Sequence, residues 1–588
     1  MLVPRSRWRF PTPTTVPGEL LALGQELGLG PRAMAILAAR GVTTEDDARR
    51  FLGDAAGSLH DPTRLPDAAV VAERIARARE AGEGVLVFGD FDADGITGLA
   101  ILTLALRRLG VEAIPYVPSR LEEGHGLSLA AVEAARAAGA RLIVTVDTGS
   151  SSVTEVAAAN AAGIDVIITD HHRLPAELPT ALAIVNPHRA DATYPERRLA
   201  GSGVAFTVAR LLIGDAALAL ADLAAIGTVA DLAPVLGENR AIVRLGLEVL
   251  RSAPRPGLAA LFAAAHIDAA RLDLETLAFA VAPRLNAAGR VGEAFDAARL
   301  LLADDPEEAA NLAAVLDAAN VTRRDLLRAA VAEARTSPDA VDDAPATIVR
   351  GPWPVGVVGL VAGRLAEERR RPAIVGADLG EIVRASCRSS GSELHLADTL
   401  AACGDLLIRH GGHAGAAGFE IRTEDWPAFR ERFLALAAVA APPDPVPLQA
   451  VDLAIRARDV DYALFRDLAR LAPYGIGNPE PLVAVLGLTV TRSREADGGH
   501  SQLVLKRRLD VLDGIAFGWP ELSHDVAEGD AIDVVARLMS RRFGGIESLQ
   551  LDIRDAAPSG SHPEARAMLE SEPVPVGPGP TVGLATAS

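Results

Sequence analysis

Five aspartates and two histidines stand directly behind three apolar, β-branched runs: Asp90, Asp92 and Asp94 in GVLVFGDFDADG, Asp147 in RLIVTVDTGSS, and Asp170, His171 and His172 in IDVIITDHH. Each run reads as a buried strand. In an open α/β sheet, polar groups just past the carboxyl ends of neighbouring strands converge on one crevice. Carboxylates gathered there repel each other unless cations sit between them. The pattern therefore points to a two-metal phosphoesterase site. Carboxylate plus neutral imidazole is a first-row transition-metal set, which favours manganese over a purely oxygen-ligated magnesium. The spacing of Asp90, Asp92 and Asp94 predicts an extended segment with all three on one side, and Gly95 lets the chain turn into a helix. Taken alone, Asp147 is equally readable as the cap of the next helix, because TGSSS follows. Asp231, in AAIGTVADLAP, reads by itself as the plain end of an apolar helix before Pro234.

The elements that must position these groups follow from the pattern of the chain. At 588 residues several domains are expected. Residues 1–70 mix Pro-rich coil with short helical patterns and read as an N-terminal extension packed on the next domain. From 71 to 260 strands alternate with Ala- and Leu-rich helices, which predicts a parallel sheet with helices on both faces. Residues 261–340 are almost wholly helical in period and read as a long connecting helix. A second α/β unit is expected over 341–442 and closes on the Pro-rich joint APPDPVP. Short alternating strands over 446–556 predict a small β-barrel. The Pro-, Gly- and Ser-rich stretch 557–588 reads as a disordered tail.

Composition narrows the partners. The net charge of −19 argues against a broad basic surface for duplex DNA but leaves room for a locally basic channel. Lys506 is the only lysine, so cationic phosphate contacts must come almost wholly from arginine, which can grip bidentately. The sequence shows neither an uninterrupted apolar stretch long enough to span a bilayer nor an N-terminal apolar signal core, so a cytoplasmic protein with no membrane role is expected. Cys387 and Cys403 form neither a disulfide framework nor a zinc pattern.

The DHH triplet at 170–172, with DFDADG upstream and GTVAD downstream, resembles the DHH phosphoesterase superfamily. GSGVAF (201–206), GENR (237–240), PRLNAAGR (283–290), WPVGVVGLVAGRLAE (353–367), GGHAGAAGF (411–419) and LAPYGIGNPEP (471–481) narrow the resemblance to the bacterial RecJ single-strand-specific exonucleases. It implies a DHH domain, a connecting helix, a DHH-associated α/β domain and an oligonucleotide-binding (OB) barrel. It also implies 5′-to-3′ hydrolysis of single-stranded DNA to mononucleotides, in DNA repair and recombination, with two manganese or magnesium ions. Carried over residue by residue, Asp92, Asp94, Asp147, His171 and Asp231 are the implied metal ligands. Asp90 stands where related phosphoesterases often place a histidine ligand, Asp170 would orient the histidines, and His172 would lie nearer the scissile phosphate.

Arg120 resembles the family's phosphate-contacting arginine and Arg290 a second such contact. Ser386 and Arg388, in ASCRSS, match the turn that holds the terminal phosphate, and His413 lies in the glycine-rich GGHAGAAG. The sequence departs from the family in two places: His125 stands where the family usually shows tyrosine, and Ala385 where it shows glycine. Single-strand binding protein and a RecQ-type helicase are partners implied by the resemblance alone. Two rival readings remain: a small-substrate DHH phosphodiesterase acting on oligoribonucleotides, cyclic dinucleotides or pAp, and a non-catalytic relative. The expected barrel argues against the first and the filled carboxylate positions against the second.

Overall fold

The computed structural model describes residues 2–11, 16–120, 122–389, 394–439, 446–543 and 546–570. The chain forms two compact units: Ala55–Asp444, and Met1–Asp54 together with Pro445–Ser588.

The first unit opens with a parallel sheet of β1 (Val85–Gly89), β2 (Ala113–Tyr116), β3 (Leu142–Val146), β4 (Asp165–Thr169) and β5 (Ala183–Val185), in the order β2-β1-β3-β4-β5. β1 and β3 are buried along their whole length, which is why they read as continuous apolar runs rather than alternating ones. The order reverses at β1, so the crevice beyond the carboxyl ends of β1 and β3 is the topological switch point, where ligands bind in such sheets. Three helices close one face: α1 (Ala93–Arg108), α2 (Gly201–Ile213) and α3 (Ala221–Ala230), packed through residues such as Ile96, Leu99, Ala205, Ala225 and Ile226. The segment Gly201–Ala230 is long and apolar enough to pass for a membrane span. Here it is two helices joined by a short 3₁₀ stretch, with side chains in the core.

The expected connecting segment divides differently. Residues around α4 (Ala282–Val291) and the first half of the 31-residue α5 (Pro306–Thr336) pack into the same core through Leu258, Leu285, Leu300, Leu312 and Leu316. Only the last turns of α5, with Ala330, Val331 and Ala334, pack with α6 (Val355–Arg369) and the second sheet. Helical period alone does not say which core a helix joins. The second sheet contains β6 (Thr347–Gly351), β7 (Ala373–Asp378), β8 (Ile382–Arg388), β9 (Leu407–Gly412) and β10 (Ala416–Arg422), in the order β9-β10-β8-β7-β6. β6 and β7 are parallel and the other pairs antiparallel.

The second unit carries the barrel. β11 (Leu453–Ile455) pairs with β12 (Val483–Ala496), and the sheet continues through β13 (His500–Arg507), β14 (Asp510–Ala516), β16 (Ile546–Pro558) and β15 (Ala531–Phe543), which closes back on β12. Two expectations are corrected here. Residues 1–54 cluster with the barrel, not with the domain that follows them in sequence. Strand Arg7–Arg9 pairs in parallel with Leu448–Ala450. The buried Asp555 carboxylate also accepts from the backbone of Arg5 (2.9 Å), from the backbone and hydroxyl of Ser6, and from Trp8 Nε1 (2.9 Å). A buried carboxylate needs such donors, and the amino-terminal segment supplies them. Nor is the stretch after 556 all tail: Pro563–Glu570 is a helix that seats Ala565 on the barrel, with His562 stacked on Trp8 at 4.1 Å. Residues 571–588 lie outside the described residues.

Candidate active site

The three strand-end aspartates extend the sheet ladder by one rung each. The Asp90 N–H donates to Val146 O (3.3 Å), that of Asp147 to Thr169 O (2.9 Å) and that of Asp170 to Val185 O (3.0 Å). Their side chains therefore leave neighbouring strands at one level. Asp147 does not cap the following helix. It takes a left-handed backbone (φ 61°) at the end of β3, and the next helix starts at Val153 behind Ser152. Asp90, Asp92 and Asp94 are not on one extended segment, contrary to the reading of their spacing. One Asp92 oxygen accepts from the N–H of Asp94 (3.0 Å) and Gly95 (3.1 Å), so Asp92 is the N-cap of α1 and Asp94 lies in its first turn. The strand-to-helix turn, rather than alternation, brings the three together.

Asp94 is held from the other side. Its two oxygens accept from the backbone N–H of Gly201 (2.7 Å) and Ser202 (2.9 Å), the start of α2, a helix end that favours negative charge. Gly201 permits this approach: a Cβ there would stand 2.5 Å from Asp147 Cβ and 2.6 Å from its Oδ1. Asp231 ends α3, with its carboxylate 3.8 Å from His171 Nδ1.

Three groups of potential ligand atoms result, each lying within 4.8 Å of one another: Asp94, His171 and Asp231; Asp90, Asp92 and Asp147; and Asp147, His171 and His172. All five implied metal ligands come together, and Asp90 joins them. Burial comes first among the causes that push Asp92 up to about 6 and Asp231 to about 7, with neighbouring aspartates adding to it; burial and then Asp94 and Asp92 raise Asp147 well above the carboxylate range. Among the described residues, buried oxygens of Asp90 (Oδ1) and Asp147 (Oδ1) have no hydrogen-bond partner. Asp147 Oδ1 lies 2.9 Å from His171 Nε2 without hydrogen-bond geometry. Crowded, orphaned, hard-oxygen and imidazole donors of this kind fit divalent cations.

Asp170 is outside these groups. Its carboxylate accepts from the backbone N–H of His171 (2.8 Å), His172 (3.1 Å) and Ser150 (3.1 Å) and lies 2.8 Å from His172 Nδ1. Burial opposes its charge, but the hydrogen bond and positive charge of His172 outweigh it and hold the carboxyl well below its usual value. The same bond pushes His172 up to about 9.

The arginines form a second cluster. Arg120 lies over the Phe91 ring at 4.2 Å, with its Nε buried and unpartnered among the described residues. Burial lowers Arg120 and Arg388, and lowers Arg290 to about 9; Arg388 adds to the effect on Arg120, and Arg120, Arg323 and Arg388 to that on Arg290. The three guanidiniums therefore lie within electrostatic reach of one another, and Asp90 and Asp92 act on Arg120. Arg388 Nη1 donates to Ser386 Oγ (3.0 Å) and Cys387 O (2.8 Å), and Arg290 Nη1 to Gly356 O (3.0 Å). Ser390 and Glu393 of this segment lie outside the described residues. His413 does not join the cluster by any side-chain contact among the described residues. It is exposed in the turn between β9 and β10, its N–H donating to Ala416 O (2.7 Å).

Sequence reasoning missed the supports. Phe91 is a buried shelf, with Arg120 on it and the exposed His125 ring 4.4 Å away. His125 Nδ1 lies 3.2 Å from Asp90 Oδ2. Asn286 accepts from the Ala93 N–H (2.9 Å) at the start of α1, and Asn186 donates to His172 O (3.0 Å). The one sequence signal for them was proximity to the motifs: Asn286 lies in NAAGR and Phe91 between two aspartates.

Fold and site together define a protein of the DHH class. Residues 84–228 match the DHH family N-terminal domain, 345–438 the DHHA1 domain and 451–555 the RecJ OB domain. The chain is 36% identical over 95% of its length to the single-stranded-DNA-specific exonuclease RecJ of Bacillus subtilis, covering 72% of that protein, and 34% identical over 90% of its length to that of Escherichia coli, covering 96%. The crystal structure of Thermus thermophilus RecJ in complex with Mn2+ superposes with a TM-score of 0.79 at 31% identity, over 94% of this chain and 80% of that one. A manganese-bound structure of exonuclease RecJ matches 64% of this chain over 96% of its own length, with a TM-score of 0.57 at 36% identity. The chain belongs to the RecJ family of single-stranded-DNA-specific exonucleases.

Proposed function

We propose that the chain hydrolyses single-stranded DNA from the 5′ end, releasing mononucleotides, in DNA repair and recombination. The observation that carries this reading is an acidic cluster of metal-binding type beside three half-buried guanidiniums, Arg120, Arg290 and Arg388, none of which has a carboxylate ion pair among the described residues. Withdrawing cations from water without an ion pair is costly, and a phosphate supplies the partner.

Asp94, His171 and Asp231 would hold one manganese or magnesium ion, and Asp90, Asp92 and Asp147 the other. Such ions supply the charge that offsets the carboxylates and the Lewis acidity that activates water and stabilises a leaving oxygen. The protein's own groups do the rest. Asp170 engages His172 Nδ1 and raises the ring's affinity for a proton, which would leave Nε2–H as a donor to a non-bridging phosphate oxygen. Arg388, oriented by Ser386, would fork onto the terminal phosphate, and Arg120 and Arg290 would grip its neighbour. The glycine-rich turn would bring backbone N–H groups close to a phosphate, with His413 beside them. A channel between the two α/β domains, too narrow for a duplex, would select single strands, and the barrel would hold the incoming strand by stacking and arginine contacts.

Its domains would be a DHH domain, a helical connector, a DHH-associated domain from about 341 to 442 and a barrel from 446. This reading places the enzyme in the cytoplasm with single-strand binding protein and a RecQ-type helicase as partners, which co-purification of the tagged chain would test. The activity is tested with 5′-labelled and 3′-labelled single strands and manganese. The 5′ label should leave first as a mononucleotide; first release of the 3′ label, or no release of either, would overturn the reading.

A further inference from the structure

The half-buried arginine group does not end at Arg290. α4 and α5 are tied together by Arg284 Nε donating to Asp317 Oδ1 at 2.8 Å. Six residues further along each helix stand Arg290 and Arg323. Most arginines around them have acids: Arg284 has Asp317, Arg328 has Asp325 at 3.0 Å, and Arg299 has Glu308 at 2.9 Å. Arg323 has none among the described residues. Its Nε and Nη2 instead donate to one neutral oxygen, Asn320 Oδ1, at 3.2 and 2.8 Å. Asn320 is itself only 3% exposed and sits one turn back on the same helix face.

A buried amide that orients a half-buried cation, while leaving its charge uncompensated, makes little sense for stability. Replacing Asn320 by an acid would serve stability better, because ionised pairs make the stronger hydrogen bonds. It makes sense for binding, because a fork already held in place loses less freedom when it meets a phosphate. The location agrees. Arg323 acts on Arg290, but its own cationic neighbours are Arg324 and Arg284 rather than Arg120 or Arg388. It therefore stands one step outside the group beside the carboxylates.

We propose that Arg323, held by Asn320, grips an internal phosphodiester of the single strand, so that the strand's path runs from Arg290 along α5. This rests on the exonuclease reading above. It adds a strand contact on the connecting helix that neither the DHH nor the DHHA1 segment contains, since Arg323 lies between residues 84–228 and 345–438.

The test uses full-length protein, fluorescent single strands of about 20 nucleotides and a salt series, with circular dichroism as a check on folding. Arg323→Ala should raise the dissociation constant roughly tenfold at low salt and reduce the slope of log affinity against log salt by about 0.7, the contribution of one single-strand phosphate contact. Arg323→Lys should keep the slope and recover part of the affinity. Asn320→Ala should lower affinity while keeping the slope, because it removes orientation and leaves the charge. The effects should be the same on 5′-phosphorylated and 5′-hydroxyl strands. An unchanged slope in folded Arg323→Ala, or a loss confined to 5′-phosphorylated strands, would overturn the proposal. If Arg323→Ala does not fold, the slopes of Arg323→Lys and Asn320→Ala decide it: a reduced slope in either contradicts it. Failure of the wild-type protein to degrade the strand would instead sink the exonuclease reading, and the two failures are distinct.

Discussion

Gly201→Ala should disable the site without unfolding the protein. The added Cβ would meet Asp147 Cβ at 2.5 Å and Cγ at 2.6 Å, whereas ordinary contact begins at 3.4 Å. Asp147 or the start of α2 must therefore move by about 0.9 Å. α2 cannot yield freely, because the Gly201 and Ser202 N–H groups hold Asp94. Whichever moves, Asp147 and Asp94 change their separation, and they belong to different ligand groups. A displacement of about 1 Å in a preorganised site costs on the order of 100-fold in rate, and overpacking costs about 1–3 kcal/mol of stability. Gly203→Ala is the control: two residues along the same helix, its Cβ would meet Leu199 at 3.4 and 3.5 Å and Ile242 at 3.7 Å, all ordinary contacts. The assay is manganese-dependent release of nucleotides from single-stranded DNA, with thermal melting of each variant alongside. Gly201→Ala should fall roughly 100-fold in kcat, and Gly203→Ala should stay within about twofold. A folded Gly201→Ala with activity within a few-fold of wild type would refute the argument that this glycine sets the spacing of the carboxylates.

In the metal-free protein, Asp92 and Asp231 are raised from 3.8 to about 6 and about 7, so the folded state holds protons that the unfolded chain releases. Their contribution to stability is greatest below pH 4 and is lost as pH rises through about 7. Tm should therefore fall between about pH 5 and pH 8, and manganese should raise it more at the higher pH; an equal manganese effect at both would contradict the coupling. His172, raised from 6.5 to about 9, should titrate near 9 by NMR in the metal-free protein and return toward 6.5 in Asp170→Asn. Its pairing stabilises the fold fully below 6.5 and loses that effect as pH rises through 9, so a titration near 6.5 in the wild type would show that the pair is not formed. The chain from Ala55 to Asp444 forms one compact unit, and a manganese-bound RecJ structure matching 64% of this chain nearly fills its own length. That fragment should fold, cut short oligonucleotides nearly as the full chain does, and bind long single strands more weakly at low salt, with the deficit shrinking as salt rises. Equal binding of long strands by both proteins would remove the barrel from the strand's path.

Much of the site was legible in the sequence for a physical reason. Strands buried on both faces read as unbroken apolar runs, and a charge placed straight after such a run has few structural explanations. Asp90, Asp147 and Asp170 all stand in that position. Residue spacing was less informative where two geometries share it: Asp90, Asp92 and Asp94 fit an alternating strand and a strand-to-helix turn equally, and the N-cap bonds of Asp92 decided for the turn. Asp231 carried no local signal, because its partners come from other elements. The amino-terminal strand was invisible because Arg7–Arg9 is three residues long and its partner lies at Leu448–Ala450. The short helix Pro563–Glu570 was hidden in a segment of Pro-, Gly- and Ser-rich composition. The roles of Gly201 and Asn320 depend on burial and close approach, which residue type does not encode.

The central claim is that the carboxylates and histidine at the ends of β1, β3 and β4 and of α3 hold two divalent ions. Anomalous diffraction at the manganese edge, on crystals of this protein grown with manganese, tests it most directly. The account predicts two peaks, one among Asp94, His171 and Asp231 and one among Asp90, Asp92 and Asp147. A single peak, or manganese held by other residues, would contradict it.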